Sequence, residues 1–203
     1  TPQIFDAELF KISGHYDNFR ENMFCVADEE GGESFVKPMN CPGHSLLFRS
    51  RLRSYRDLPL RFAEFSRLHR NERSGTLNGM TRVRSMAQDD AHIYCQPDQL
   101  EKEVDRLLEM MAEVYRDLGL SGVEVSVSTR PEKYMGEIPD WNRAERMLIA
   151  AAERAGYRCG IKPGEGAFYG PKIECDFRDV LGRVWTCATV QMDMGAPERF
   201  GLA

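Results

Sequence analysis

Along positions 100–118 the apolar residues recur at helical spacing. Leu100, Val104, Leu107, Leu108, Met111, Val114, Tyr115 and Leu118 follow an i, i+4, i+7, i+8 pattern, which predicts an amphipathic helix. Asp98 with Glu101 has the form of a capping box before it, and Gly119 stands where such a helix would stop. A second helix is predicted over 141–155, capped by Asp140 after Pro139, ended by Gly156, and turning Met147, Leu148 and Ala151 inward. A third starts near Gly43 and ends before Pro59.

Elsewhere the period is two. Val123, Val125 and Val127 alternate with Glu124, Ser126 and Ser128, the pattern of a half-buried strand. Two extended runs, 61–72 and 81–95, flank the polar loop Arg73-Ser74-Gly75-Thr76-Leu77-Asn78-Gly79 and predict a long antiparallel hairpin. A second hairpin pairs 173–177 with 183–193 around Leu181-Gly182. Strands joined mainly by hairpins, with helices in no regular βαβ order, predict an α+β fold: an antiparallel β-sheet flanked by helices.

Composition narrows the class. With 203 residues, 42% of them hydrophobic, the chain can bury a sizeable core, and one domain is expected. No apolar run approaches the roughly 20 residues needed to cross a bilayer, and Thr1-Pro2-Gln3-Ile4 lacks the order of a signal peptide. The expectation is a soluble, cytoplasmic protein with no membrane partner. Its six cysteines are scattered, without the dense spacing of a disulfide scaffold. Cys175 and Cys187 sit in apolar strand patterns and are expected to be buried thiols; only Cys41, followed by Pro42 and Gly43, has a loop context that would hold a thiolate open.

The net charge of −5 hides an uneven distribution. Positions 49–84 hold ten arginines and no lysine, against Asp57, Glu64 and Glu72. The guanidinium fork suits bidentate binding of phosphate or carboxylate. A solvated helix face accounts for Arg49, Arg51 and Arg53, but not for Arg70, Arg82 and Arg84, which fall in strand-like segments. No Gly-rich phosphate loop of the P-loop or dinucleotide type is present, so any nucleotide must be held by side chains on the sheet. Between Lys37-Pro38-Met39-Asn40-Cys41-Pro42-Gly43-His44 and Gln88-Asp89-Asp90-Ala91-His92 lies a candidate substrate site, with Cys41 and His92 as a possible metal pair beside the carboxylate of Asp90. On spacing alone His44 rivals them as a ligand.

These residues carry a resemblance. Phe65-Ser66-Arg67-Leu68-His69-Arg70-Asn71-Glu72 with Thr81-Arg82-Val83-Arg84 resembles motif 2 of class II aminoacyl-tRNA synthetases, at about 61–86. The blocks 37–44, 54–59, 88–92, 129–133 and 164–172 resemble the threonine-specific members of that family. The resemblance implies part of a class II catalytic core that activates threonine with ATP, using Mg2+, and transfers it to tRNA(Thr) as a homodimer. It further implies that Arg70 and Lys172 act in catalysis. Arg70, Glu72, Arg82 and Lys172 would bind ATP, with Glu72 accepting from the adenine amino group. Met39, Gln88, Asp90, Tyr169 and Gln191 would surround threonine. Zinc on Cys41 and His92 would bind the amino group and hydroxyl of threonine, with Asp90 accepting from that hydroxyl. The resemblance places His44 in the helix that follows and leaves it, like His15 and His69, a structural role.

The sequence departs from the family pattern at its ends. Thr1-Pro2 resembles the tail of motif 1, and the chain stops before motif 3 and before the family's third zinc ligand, so a central piece of a catalytic domain, binding zinc weakly, is expected. Thr186 stands where many bacterial members have Gln, and Met86 where an aromatic is usual. Two other readings compete: a non-catalytic module that keeps the pocket for binding, and a zinc hydrolase, for which the ligand set and any HExxH-like spacing are lacking.

Overall fold

The computed structural model describes residues 1–202. Its elements, in order, are β1 (Ile4–Asp6), α1 (Ala7–Ile12), α2 (His15–Phe19), β2 (Phe24–Ala27), β3 (Glu33–Val36), α3 (Cys41–Arg49), β4 (Leu60–His69), β5 (Ser85–Tyr94), α4 (Leu100–Asp117), β6 (Glu124–Ser128), α5 (Ile138–Arg154), β7 (Gly160–Lys162), β8 (Lys172–Arg178), β9 (Val184–Gln191) and α6 (Ala196–Arg199). They form two compact units, Thr1–Cys95 with Ala196–Ala203, and Gln96–Gly195.

In the first unit an antiparallel sheet of order β1-β3-β2 packs Phe35 against Phe10 of α1, edge to face at 5.7 Å between ring centres. Ala7 and Met23 complete this small core. The predicted hairpin is present as β4 and β5, paired from Leu60 opposite Tyr94 to His69 opposite Ser85. Its strands stop short of the expected ends. Arg70, Arg82 and Arg84 lie in the connection, not in strands, because the chain there is held by side chains: the Arg84 Nε donates to the Glu72 carbonyl at 3.0 Å and Arg82 pairs with the Glu72 carboxylate. Helix α3 is also shorter than expected. It ends at Arg49, and a 3-10 turn over Tyr55–Asp57, closed by a capping box from Ser54 and Asp57, leads into Pro59.

The second unit holds a four-stranded sheet of order β7-β6-β8-β9, antiparallel except for β6 with β7, which α5 connects as a parallel pair. The periodic helices appear where the pattern put them. Val104, Leu108 and Tyr115 of α4 and Leu148, Ala151 and Ala152 of α5 bury against Val125, Val127, Ile173, Cys175 and Val190. Gly119 and Gly156 take left-handed φ values of 69° and 87° just beyond the two helices, a conformation that glycine adopts without a Cβ penalty.

Four local expectations fail for physical reasons. The Asp98–Glu101 capping box does not form; Gln99 caps α4 without a side-chain bond. Helix α5 starts at Ile138, with Pro139 inside its first turn where no N–H is needed, so Asp140 complements the helix dipole instead of capping it. Strand β6 is buried on both faces: Ser128 is fully enclosed and donates to Glu174 Oε2 at 2.8 Å. Cys187 is exposed, because Ala188 and Val190 take the inward positions of β9 and Cys187 falls on the opposite face.

A titration test follows from His15. Burial, assisted by the positive charge of Arg199, pushes its imidazole down to about 4. The folded state therefore resists protonation, so the contribution is complete above the unfolded value near 6.5 and drains away as pH falls toward 4. About 1.4 kcal/mol per pH unit puts the loss near 3 kcal/mol across that window. Chemical denaturation between pH 7.5 and 5 should show the decline, and His15→Gln should flatten it.

Candidate functional site

Alternation along β5 builds the site. Gln88, Asp90 and His92 are half-buried while the alternate residues Ala87, Asp89 and Ala91 are exposed, so three of the predicted residues share one face of the strand. Their partners across the hairpin are Ser66, Glu64 and Phe62 respectively. The segment from Lys37 through α3 packs on this face. Asn40, fully buried, donates its amide to Asp90 Oδ2 at 2.9 Å and accepts from the Ser66 hydroxyl at 3.1 Å. Asp90 keeps about a fifth of its side chain open, with Oδ1 3.9 Å from His92 Nδ1. A carboxylate held at one oxygen by an amide retains acceptor capacity at the other.

Beneath this row sits a charge pair. Lys37 is completely buried, and its ammonium donates to Glu64 Oε1 at 2.8 Å, the Ser66 hydroxyl at 2.8 Å and the Thr1 hydroxyl at 2.9 Å. Burial pushes the Glu64 carboxyl up, but the donors from Lys37, Thr1 and Ser66 outweigh it and hold the group well below the usual carboxylate range. The other carboxylate oxygen meets His44 Nε2 at 3.1 Å, and His44 Nδ1 lies 2.8 Å from His92 Nδ1. Both nitrogens of His44 are thus engaged, which removes it as a rival ligand. Burial pushes the His92 imidazole down, against the opposing carboxylate of Asp90.

Among the described residues no cluster of three His, Cys, Asp or Glu side chains could hold a metal ion. The residues that the sequence singled out for a metal are Cys41 and His92. Cys41 opens α3 one helical turn before His44, on the same helix face, and His44 touches His92. A thiolate and an imidazole are ordinary zinc donors, so the donor chemistry fits that metal.

The arginine-rich connection supplies the cationic side of the first unit. Arg70 is half-buried with its Nε on the Pro38 carbonyl at 3.2 Å, while Arg82 closes on Glu72 through two contacts to Oε2, at 3.2 and 3.0 Å. In the second unit Lys172 pairs with Glu174 Oε1 at 2.6 Å, and the Tyr169 hydroxyl donates to Gln191 Oε1. Gly170 follows Tyr169 against the carbonyl of Met192, where any Cβ would collide with backbone.

A family model, the class II core domain of tRNA synthetases for G, H, P, S and T, matches residues 24–203. The chain belongs to this synthetase family. It is 51% identical over 201 residues to a threonine–tRNA ligase of Thiobacillus denitrificans, matching 99% of this chain and 31% of that protein. Two solved structures are similar: a threonyl-tRNA synthetase RNA-binding domain from Cryptosporidium parvum (TM-score 0.93, 46% identity, 99% of this chain and 50% of that one) and the ThrRS-1 protein of Aeropyrum pernix (0.86, 37%, 100% and 48%). This synthetase core therefore spans about a third of the length of the curated relatives it matches.

Within the core, Asp90, Gln88 and His92 lie on one strand face, and in the second unit Tyr169 meets Gln191. Met39 sits half-buried between Pro38 and Asn40, in the segment packed on that face. Sequence reasoning missed Lys37, Asn40 and Glu64. The available signal was the even alternation of Phe62, Glu64, Ser66 and Leu68, which puts a carboxylate on the inward side of β4.

Removing one member of the buried pair should be far worse than removing both. Lys37→Met leaves the Glu64 carboxylate without its main partner, at a cost of about 3 to 5 kcal/mol, whereas Lys37→Met with Glu64→Leu should recover a large part of it. Urea unfolding of the two single variants and the double variant gives the coupling directly; additive losses would mean the pair does not act as a unit.

Proposed function

We propose that this synthetase core activates L-threonine with ATP to threonyl-adenylate, releasing pyrophosphate, and passes the threonyl group to tRNA(Thr), within a homodimeric cytoplasmic enzyme using ATP with Mg2+. The observation that carries the reading is the row Gln88, Asp90, His92 facing the segment that holds Cys41, with Asp90 anchored through one oxygen by Asn40. The relatives named for threonine support it.

In this reading Arg70 grips the α-phosphate and the threonine carboxylate while the carboxylate oxygen attacks phosphorus in line. Its Nε donates to the Pro38 carbonyl, and in this reading the outer guanidinium nitrogens serve the substrate. Positioning and preorganised charge supply the catalysis. Glu72 accepts from the adenine amino group and Arg82 moves from Glu72 toward the phosphates. In the second unit Lys172 takes a phosphate, and Tyr169 and Gln191 contribute to the surroundings of threonine. The connection over 73–79 meets the acceptor end of tRNA.

Cys41 and His92 would hold zinc. When bound, it supplies a Lewis-acid seat for the amino group and hydroxyl of threonine. Asp90 accepts from that hydroxyl, and Gln88 and Met39 flank it in the first unit. A site that demands a hydroxyl rejects valine strongly, whereas an apolar pocket would separate the near-isosteric pair poorly.

Two substitutions test this in the whole protein by amino-acid-dependent ATP–pyrophosphate exchange. Arg70→Ala should lower kcat by two or more orders of magnitude, about 3 to 4 kcal/mol, with folding intact. Asp90→Asn should depress threonine activation far more than its change in shape suggests, since it replaces an acceptor-only carboxylate. In the parent, serine should be a detectable competitor, a missing methyl being worth about 1 to 3 kcal/mol, and valine should be rejected. Activation of valine at the level of serine would sink the threonine reading.

A further inference from the structure

The chain Glu64–His44–His92 has a direction. Glu64 Oε2 is 3.1 Å from His44 Nε2, and His44 Nδ1 is 2.8 Å from His92 Nδ1. A carboxylate can only accept, so the contact is satisfied when His44 carries its proton on Nε2. In the neutral ring that leaves Nδ1 of His44 as a bare acceptor. The short contact between the two Nδ1 atoms then requires the proton to sit on His92 Nδ1, and His92 Nε2 is left with a free lone pair. The reverse arrangement would aim the lone pair of His44 Nε2 at the Glu64 carboxylate. Asp90 Oδ1, 3.9 Å from His92 Nδ1, is on the same side of the ring and also favours a proton there.

We propose that Glu64 and His44 are positioning residues that lock His92 in its Nδ1-protonated tautomer and so leave Nε2 as its electron-pair donor. The proposal deepens the reading of His92 as a zinc ligand and rests on it for its purpose, though not for its geometry. His44 is buried with 2% of its surface exposed and is clamped between Phe62, at 5.8 Å between ring centres, and the His92 ring, at 4.8 Å. Its packing fixes the direction of the acceptor. The role resembles a carboxylate–imidazole support behind a metal-binding histidine, extended by one further ring. It also gives Glu64 two tasks on two oxygens: Oε1 neutralises Lys37, and Oε2 sets the proton order of the two rings.

The test is a long-range 15N–1H correlation spectrum of the metal-free protein above pH 7.5, with zinc affinity measured alongside. His92 should show a pyrrole-like Nδ1 and a pyridine-like Nε2. His44→Leu keeps the volume and removes the acceptor; His92 should then lose the single tautomer, and zinc affinity should fall roughly 10- to 100-fold. His44→Asn, whose amide oxygen stands near the place of Nδ1, should restore most of both, an outcome that lost packing alone would not produce. A pyridine-like Nδ1 on His92 in the parent, or an unchanged tautomer in a folded His44→Leu protein, overturns the lock. A locked Nδ1–H together with zinc affinity indifferent to His92→Ala keeps the lock and overturns the metal reading instead.

Discussion

A lysine with no access to water must be neutralised where it stands, and in the first unit that constraint organises everything on the inner face of the hairpin. Lys37 lies in the segment between β3 and α3, while its counter-charge, Glu64, lies in the middle of β4. Desolvating both groups is costly, and the cost is met only because Ser66, Thr1 and His44 complete their hydrogen bonds. The backbone of Lys37 is fixed as well, donating to Gln3 and accepting from His69. With Lys37 in place, Asn40 falls over Ser66 and Asp90, and α3 begins where His44 meets His92. The electrostatic anchor thus comes before the site in the order of causes, even though neither of its members needs to touch a substrate.

This division explains what the sequence revealed and what it withheld. Helices α4 and α5 bury periodic apolar stripes, and those stripes are visible in a linear string: Leu100 through Leu118 announces α4 without knowledge of any partner. The row Gln88, Asp90, His92 was legible for the same reason, since a period of two is local. The capping of α4 was not legible, because the choice between Asp98 and Gln99 as the residue that begins a helix is decided by how the preceding turn closes, here through Gln96 and Gln99. Nor could Ser126 and Ser128 be recognised as buried. They read as the wet face of a strand, and it is Glu174, distant in sequence and itself paired with Lys162, that takes up the Ser128 hydroxyl in the interior.

The functional reading shows the same asymmetry. Residues whose chemistry is conspicuous, such as Cys41, His92, Asp90 and Arg70, stood out by type and order. The groups that aim them, Asn40 at Asp90, Pro38 at Arg70 and His44 at His92, are a side-chain amide, a backbone carbonyl and a buried ring. Such partners are common in any sequence, and only distance in the fold gives them meaning.

The placement of Gln88, Asp90 and His92 on alternate residues of one strand has a consequence for how this protein can change. If the pairing of β5 against β4 slid by a single residue, all three side chains would turn outward together and Asp89, Ala91 and Ile93 would take their places. Recognition in this arrangement cannot degrade one contact at a time through backbone shifts; it is kept whole or lost whole. An insertion or deletion within β5 would turn this row outward, whereas one in the connection over 70–84 leaves the register of the hairpin intact.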